Sequence, residues 1–376
     1  MFRLIYRQLA YDPWRTALTA FAIAAVVAVI LVLEGFMQGQ SAQLRRAVIE
    51  RDADLIVTQA GTANLIATRS ILPQFARRDV EAIEGVAVAH PLTGLLTIYE
   101  QAGRSTPLSM FVVDAAGGKQ RIVAGTAAES ARDLVIDASL AKRYGLQPGD
   151  PFVLSGFAFR VAGISADTSV LFTPMVFARY DGLIDFYFES DLADDISTFP
   201  LLSYLLVELE PGADRAVVAA RIEAAVPAGD VFVPERLADN DARLGQAMFG
   251  PIFNLLVTVG YLIGILVVAI SMFASVHARR HSFGVMKALG FPAGFLGGAV
   301  VLEAAALALV ALPLGALLAA AIAAAVQVAW PLYLILPLEP GPLLRTAIAC
   351  VLFAVLGALA PLGLVRRIDP ALAFRS

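Results

Sequence analysis

The sequence predicts a membrane α-helical bundle of four transmembrane helices, with both termini cytoplasmic and a large α+β domain exported between helices 1 and 2. Three observations predict it. The chain is more apolar and less charged than a soluble protein of its size, with 59% hydrophobic and 16% charged residues and a mean hydropathy of +0.74. Its apolar residues gather in four long runs near the two ends, around a mixed segment. Lys and Arg cluster beside those runs in a pattern that places three basic groups on one side of a bilayer.

The first run, residues 16–33, has 18 residues and reaches roughly 27 Å as a helix at 1.5 Å per residue, just long enough to span hydrocarbon. The second, 252–276, reaches roughly 37 Å and must tilt or project. The third, 295–328, exceeds one crossing, and Pro313 near its middle predicts a kink. The fourth is 343–364. Arg3, Arg7 and Arg15 precede the first span, Arg279, Arg280 and Lys287 follow the second, and Arg366, Arg367 and Arg375 follow the fourth. By the positive-inside rule all three groups are cytoplasmic. The loop 330–342 has no Lys or Arg, and its Trp330 and Tyr333 suit an outer interfacial belt. A basic start before an apolar run also fits a signal peptide, but this run is longer than a signal core and no A-x-A-like site follows closely. The expected divisions are 1–37 (N-terminus and first span), 38–249 (exported domain) and 250–376 (spans two to four with a cytoplasmic helix and tail).

Residues 38–249 carry 18 Lys/Arg against 27 Asp/Glu, an acidic balance that offers nothing to a nucleic acid. The only cysteine, Cys350, lies in span four, so no disulfide frame supports the exported domain and its core must suffice. Helical spacings of Phe36, Leu44 and Val48, and of Leu237, Leu244 and Met248, predict stalks at its two ends. Between them, 54–58, 86–99, 108–114, 204–209 and 231–233 read as strands, and Ser155-Gly156 as the turn of a hairpin over 152–164. Val218, Ile222 and Val226 form an i, i+4, i+8 stripe on a helix.

Chemistry-bearing motifs are sparse. No G-x-x-x-x-G-K-[ST] occurs, so any ATP chemistry must come from a partner. His90 is exported while His277 and His281 are cytoplasmic, which rules out a shared metal site. The acidic run Glu189, Asp191, Asp194, Asp195 lacks the ligand order of a calcium loop and reads as solvated surface. Glu303 is a carboxylate a turn or two inside the inner end of span three, suited either to transport or to snorkelling or pairing with a cytoplasmic Arg. Gly260 and Gly264 form G-x-x-x-G in span two, which allows close helix packing, the alternative being lipid-facing glycine.

The most informative stretch is 277–292. Phe283, Met286 and Leu289 with Gly290 give a short apolar face, Arg279, Arg280 and Lys287 give basic surroundings, and Gly290 with Pro292 gives a stop. This predicts a cytoplasmic amphipathic helix. It serves either as an interfacial helix on anionic lipid or as a docking knob for a cytoplasmic subunit.

At Arg279-Arg280 and Gly284-Val-Met-Lys-Ala-Leu-Gly290 the sequence resembles the FtsX-like permease family of ABC transporters, with its MacB, LolC and DevC branches. The ending Arg367-Ile-Asp-Pro-Ala-Leu-Ala373 is similar to the family's C-terminal motif, in which Asp369 would be an N-cap and Pro370 the first residue of a last helix. Asp79-Val-Glu-Ala-Ile-Glu-Gly-Val86 and Ala141-Lys-Arg-Tyr-Gly-Leu-Gln-Pro-Gly-Asp150 resemble the family's periplasmic core, and the 71–75 segment resembles DevC-like exporters. The chain departs at Asp12-Pro-Trp-Arg15 and at Ala311-Leu312-Pro313, where the family has a basic pattern and a glycine pair. The resemblance implies an inner-membrane permease, homodimeric or heterodimeric, with no cofactor of its own. ATP and Mg would be bound by a separate cytoplasmic ABC ATPase docked on Arg279, Arg280, Phe283, Gly284, Met286, Lys287, Leu289 and Gly290. A periplasmic adaptor and membrane lipid are the other implied partners. Export or extraction of an envelope substrate is the leading expectation, and regulation of a periplasmic cell-wall hydrolase the alternative.

Overall fold

The computed structural model describes residues 13–66, 68–114, 120–191 and 202–367. Arg3, Arg7, Asp12, Asp194, Asp195 and the ending with Asp369, Pro370 and Arg375 lie outside the described residues. Each apolar run falls within one long helix: α1 Pro13–Ile49, α6 Pro234–Ala278, α8 Ala293–Ala329 and α9 Pro340–Arg367. All four are long and apolar enough to cross a membrane. Three start on proline, whose missing N–H costs nothing at a first helical position. Pro313 lies inside α8 without ending it.

The chain forms two compact units. One comprises the described parts of Met1–Gln38, Phe249–Val326 and Ile335–Ser376, and the other Gly39–Met248 with Gln327–Leu334. In the first, Val27, Ile30 and Leu31 of α1 are buried with Val268 of α6, Leu296, Ala304 and Ala311 of α8, and Ala354 of α9. Small residues allow this. A Cβ on Gly315 would come within 2.7 Å of Val27 Cβ and 2.8 Å of the Ala24 carbonyl oxygen. Close packing of α8 on α1 is thus present despite the substitution at 311–313, with Ala311 and Gly315 supplying the small surface.

The second unit is built on a mixed sheet in the order β10-β1-β9-β2-β3-β8-β5-β7-β4, with β6 added on β7. The strands are β1 Leu55–Gln59, β2 Val86–Gln101, β3 Arg104–Val113, β4 Ile122–Gly125, β5 Asp133–Asp137, β6 Pro151–Leu154, β7 Phe157–Ser165, β8 Met175–Arg179, β9 Tyr204–Leu209 and β10 Gly229–Phe232. β2 and β3 form a long hairpin, paired from Leu92↔Val113 to Gln101↔Arg104. β3–β8 and β5–β7 are the parallel pairs.

Central β9 is buried on both faces. Tyr204 and Leu206 face a core that includes Leu44 and Val48 of α1 and Leu237 of α6. Leu205 and Val207 face α2 (Ala76–Glu81) and α5 (Arg215–Ala225) through Val80, Val218 and Ile222. Asp214 caps α5, accepting from the Ala216 amide at 2.8 Å, which satisfies a donor the helix start leaves open. A third core packs α3 (Ala138–Tyr144) and α4 (Leu183–Glu189) on β3, β5, β7 and β8 around Phe152, Phe157 and Phe186.

Candidate functional site

The sequence points to the chain between α6 and α8. There α6 ends at Ala278, Arg279 breaks the helical path, and α7 runs over Arg280–Ala288. Its end is a Schellman arrangement. The Gly290 amide donates to the Lys287 carbonyl at 3.0 Å and the Phe291 amide to Met286 at 3.1 Å. Gly290 sits at φ +90°, a conformation that favours glycine, and Pro292 prevents continuation.

The apolar face of α7 is used internally. Phe283 is 2% exposed and belongs to the core with Val276, Leu296 and Val300, Gly284 is buried beside it, and Met286 is partly buried against the same core. The expected Phe283–Met286–Leu289 face is therefore divided, with Phe283 and Met286 packed on the chain's own core and Leu289 exposed. A nine-residue helix between two spans has one apolar side, and burying it on those spans gains more than presenting it to water. Leu289, 72% exposed, is what the expected ridge leaves free, joined by Val285 and Phe291. Arg280, His281 and Ala288 are exposed around them, and Lys287 is half-buried.

Glu303 is brought to this bend. It lies on α8, 6% exposed at its side chain, and pairs with Arg279 Nη2. Ser275 Oγ on α6 donates to the same carboxylate oxygen at 3.0 Å and also accepts from Arg279. The bend between α6 and α7 is thereby pinned to α8 by a three-residue polar knot in an otherwise apolar core. Arg279 Nη1 is buried without a hydrogen-bond partner, so the knot is not fully satisfied.

Gly260 and Gly264 are both buried on α6. A Cβ on Gly260 would meet Ile30 Cγ1 of α1 at 3.1 Å, and one on Gly264 would meet the Phe353 ring of α9 at 2.6 Å. Both lie where a neighbouring helix of this chain comes close.

A second polar knot, at the other end of the same unit, escaped the sequence reading. Glu34 of α1 accepts from Tyr261 Oη of α6 at 2.9 Å and from Arg345 of α9, Nη2 at 3.0 Å and Nε at 3.2 Å. The first apolar run was closed at residue 33, one short of this carboxylate. An acid at one span end and an arginine just inside another were the available signal.

Residues 16–225 match the MacB-like periplasmic core domain, more than half of the chain, and residues 254–370 match the FtsX-like permease C-terminal domain. The chain belongs to the FtsX-like permeases with a MacB-like periplasmic core domain. An ABC transporter permease of Mycobacterium tuberculosis H37Rv, itself uncharacterized, is 22% identical over 371 residues, covering 98% of this permease and 97% of its own length. Another, from Mycobacterium bovis, is 24% identical over 378 residues, covering 99% of each chain. Among solved structures, the periplasmic region of MacB from Actinobacillus actinomycetemcomitans aligns at 11% identity and a TM-score of 0.37, over 50% of this chain and 91% of that one. The extracellular domain of YknZ from Gram-positive bacteria aligns at 12% identity and a TM-score of 0.36, over 47% and 98%. The permease is a multi-pass membrane protein with an extracytoplasmic domain. As an ABC transporter permease subunit it belongs to a family without ATPase activity, whose ATP hydrolysis resides in a partner subunit.

Proposed function

We infer that the permease transmits movement from a cytoplasmic ATPase to its extracytoplasmic domain, driving export or extraction of an envelope substrate. The observation that carries this reading is the anchoring of α7. Phe283 in the core and Arg279 on Glu303 tie the helix to both α6 and α8, so a push on α7 is delivered to two spans together. α6 is a single helix of 45 residues with Pro251 inside it. The element that carries the cytoplasmic bend therefore continues into the stalk, with Pro251 the position where one backbone hydrogen bond is missing and the helix can flex.

On this reading the ATPase grips the exposed tip formed by Val285, Leu289 and Phe291, with Arg280 as a charged rim. An apolar anchor in a partner's groove typically contributes about 2 kcal/mol or more, and a rim charge less. The permease acts as a homodimer or heterodimer, with the exposed Leu255, Val259, Leu262 and Leu266 face of α6 turned to lipid or to the second permease. A periplasmic adaptor completes the export path.

The test is co-purification of the native ATPase in uncharged detergent. Leu289→Asp should abolish capture while the permease keeps its helicity and thermal midpoint. Undiminished capture by Leu289→Asp, or by Leu289→Asp with Val285→Asp, would overturn the docking assignment.

A further inference from the structure

The unit built on the sheet contains a cavity of about 530 Å³ that ATPase coupling does not use. That volume lies within the roughly 300–1,000 Å³ range of small-molecule sites. Its walls come from separate segments: Pro107 on β3, Lys142 and Arg143 on α3, Phe172 in the turn before β8, and Trp330 and Tyr333 directly after α8.

Three features point to one class of ligand. The first is charge. Lys142 and Arg143 are both exposed, and among the described residues no carboxylate lines the cavity. Lys142 Nζ donates to the Val328 carbonyl near the end of α8, which fixes the ammonium at the cavity wall and leaves two of its three donors for another acceptor.

The second is the apolar half. Phe172 and Tyr333 lie with ring centroids 6.2 Å apart, and Trp330, 60% exposed, stands beside them. Opposite, Pro107 pairs with Ile98 across the β2–β3 hairpin, so the two side chains share a face, and Ile98 and Leu96 on that face are exposed. An apolar ramp therefore runs along the hairpin to the cavity. Trp330 follows the last residue of a spanning helix, where amphipathic rings meet both hydrocarbon and water.

The third is strain. Leu171 and Phe172 occupy the centre of a two-residue turn, closed by hydrogen bonds of 2.9 and 2.8 Å between Val170 and Thr173. Both have positive φ, 46° and 61°, where such turns ordinarily use Asn-Gly. Bulky side chains held there are characteristic of ligand clamps, and this one sets Phe172 against Tyr333.

We propose that this cavity binds an anionic amphiphile, with its acidic head on Lys142 and Arg143 and its hydrocarbon against Phe172, Trp330 and Tyr333. Such a molecule comes either from the outer leaflet as a two-chain acidic lipid or from outside as a single-chain acid. The site stands independently of the ATPase reading.

The chain has two tryptophans, so Trp14→Phe leaves Trp330 as the only one. The full chain with that change, in uncharged detergent and without ATPase, is titrated with bromine-labelled alkyl phosphate, phosphatidylglycerol and phosphatidylcholine while Trp330 quenching is followed. Saturable quenching by an acidic probe is expected, and whichever of the first two binds more tightly identifies the source. Lys142→Ala with Arg143→Ala should weaken it about tenfold or more. Tyr333→Ala, which alters no charge, should also weaken it. Quenching that never saturates, equals that by phosphatidylcholine, or is unchanged in the double variant would mean simple partition into the micelle and would overturn the proposal.

Discussion

Replacing Arg279 with Met removes the cation of the inner polar knot while keeping most of the stem. Glu303 would then be a carboxylate only 6% exposed, with Ser275 as its remaining donor. Removing one partner of a buried ion pair costs about 3–5 kcal/mol. The reverse change is milder. Glu303→Gln leaves Arg279, which is 24% exposed and can extend toward water, so about 1–2 kcal/mol is expected. The double variant leaves no orphaned charge and should lie well above the sum of the two, by about 2 kcal/mol or more. The assay is unfolding of the full chain in mixed micelles of rising SDS fraction, followed by helicity, for all four members of the cycle. Midpoints should rank Arg279→Met lowest. Additivity within about 0.5 kcal/mol would mean that the two residues do not act on each other and would refute the knot.

Further outcomes follow from other contacts. Phe283→Ala should destabilise the permease by about 3–5 kcal/mol, as a truncated core aromatic does, and Leu289→Ala by less than about 0.5, read in the same micelle unfolding. Gly315→Ala should cost more than Gly264→Ala in that assay. Its Cβ would meet the Ala24 carbonyl oxygen and Val27 Cβ, whereas at Gly264 only the far edge of the Phe353 ring must turn aside. In the extracytoplasmic domain, Asp241 on the stalk part of α6 accepts from the Leu65 and Ile66 amides at 3.0 and 3.2 Å, and burial pushes its carboxyl up to about 6. Because the folded value lies above the unfolded one, Asp241 contributes stability that grows as pH falls from about 6 toward 4, by on the order of 3 kcal/mol. Asp54 and Asp133, held below their ordinary value by hydrogen bonds, contribute in the opposite sense. Thermal midpoints of the wild type and of Asp241→Asn between pH 4.5 and 7.5 check this, and two parallel profiles would contradict it.

Some elements were legible because a local pattern suffices to specify them. The apolar runs were legible by their length, the hairpin over 152–164 by its Ser155-Gly156 turn, and the Val218–Ile222 stripe by its helical period, and each appears in the fold. β5 and β8 were missed. Their cores, Leu134-Val-Ile136 and Met175-Val-Phe-Ala178, are short apolar runs buried on both faces, where period distinguishes nothing. α7 was legible as an amphipathic helix, but an amphipathic pattern shows only that one face is buried. It does not show by what, and only the fold places Phe283 among Val276, Leu296 and Val300.

The sequence by itself determined the membrane class, the four helices, the α+β character of the domain between the first two, and the family. Those depend on composition, on periodicity and on motifs contiguous in the chain. Only the tertiary structure decided that Glu303 meets Arg279, that Glu34 joins Tyr261 to Arg345, and that Lys142 and Phe172 share a cavity with Trp330. These partners are separated by up to 311 residues, and their contacts arise from helix and strand packing rather than from any local spacing.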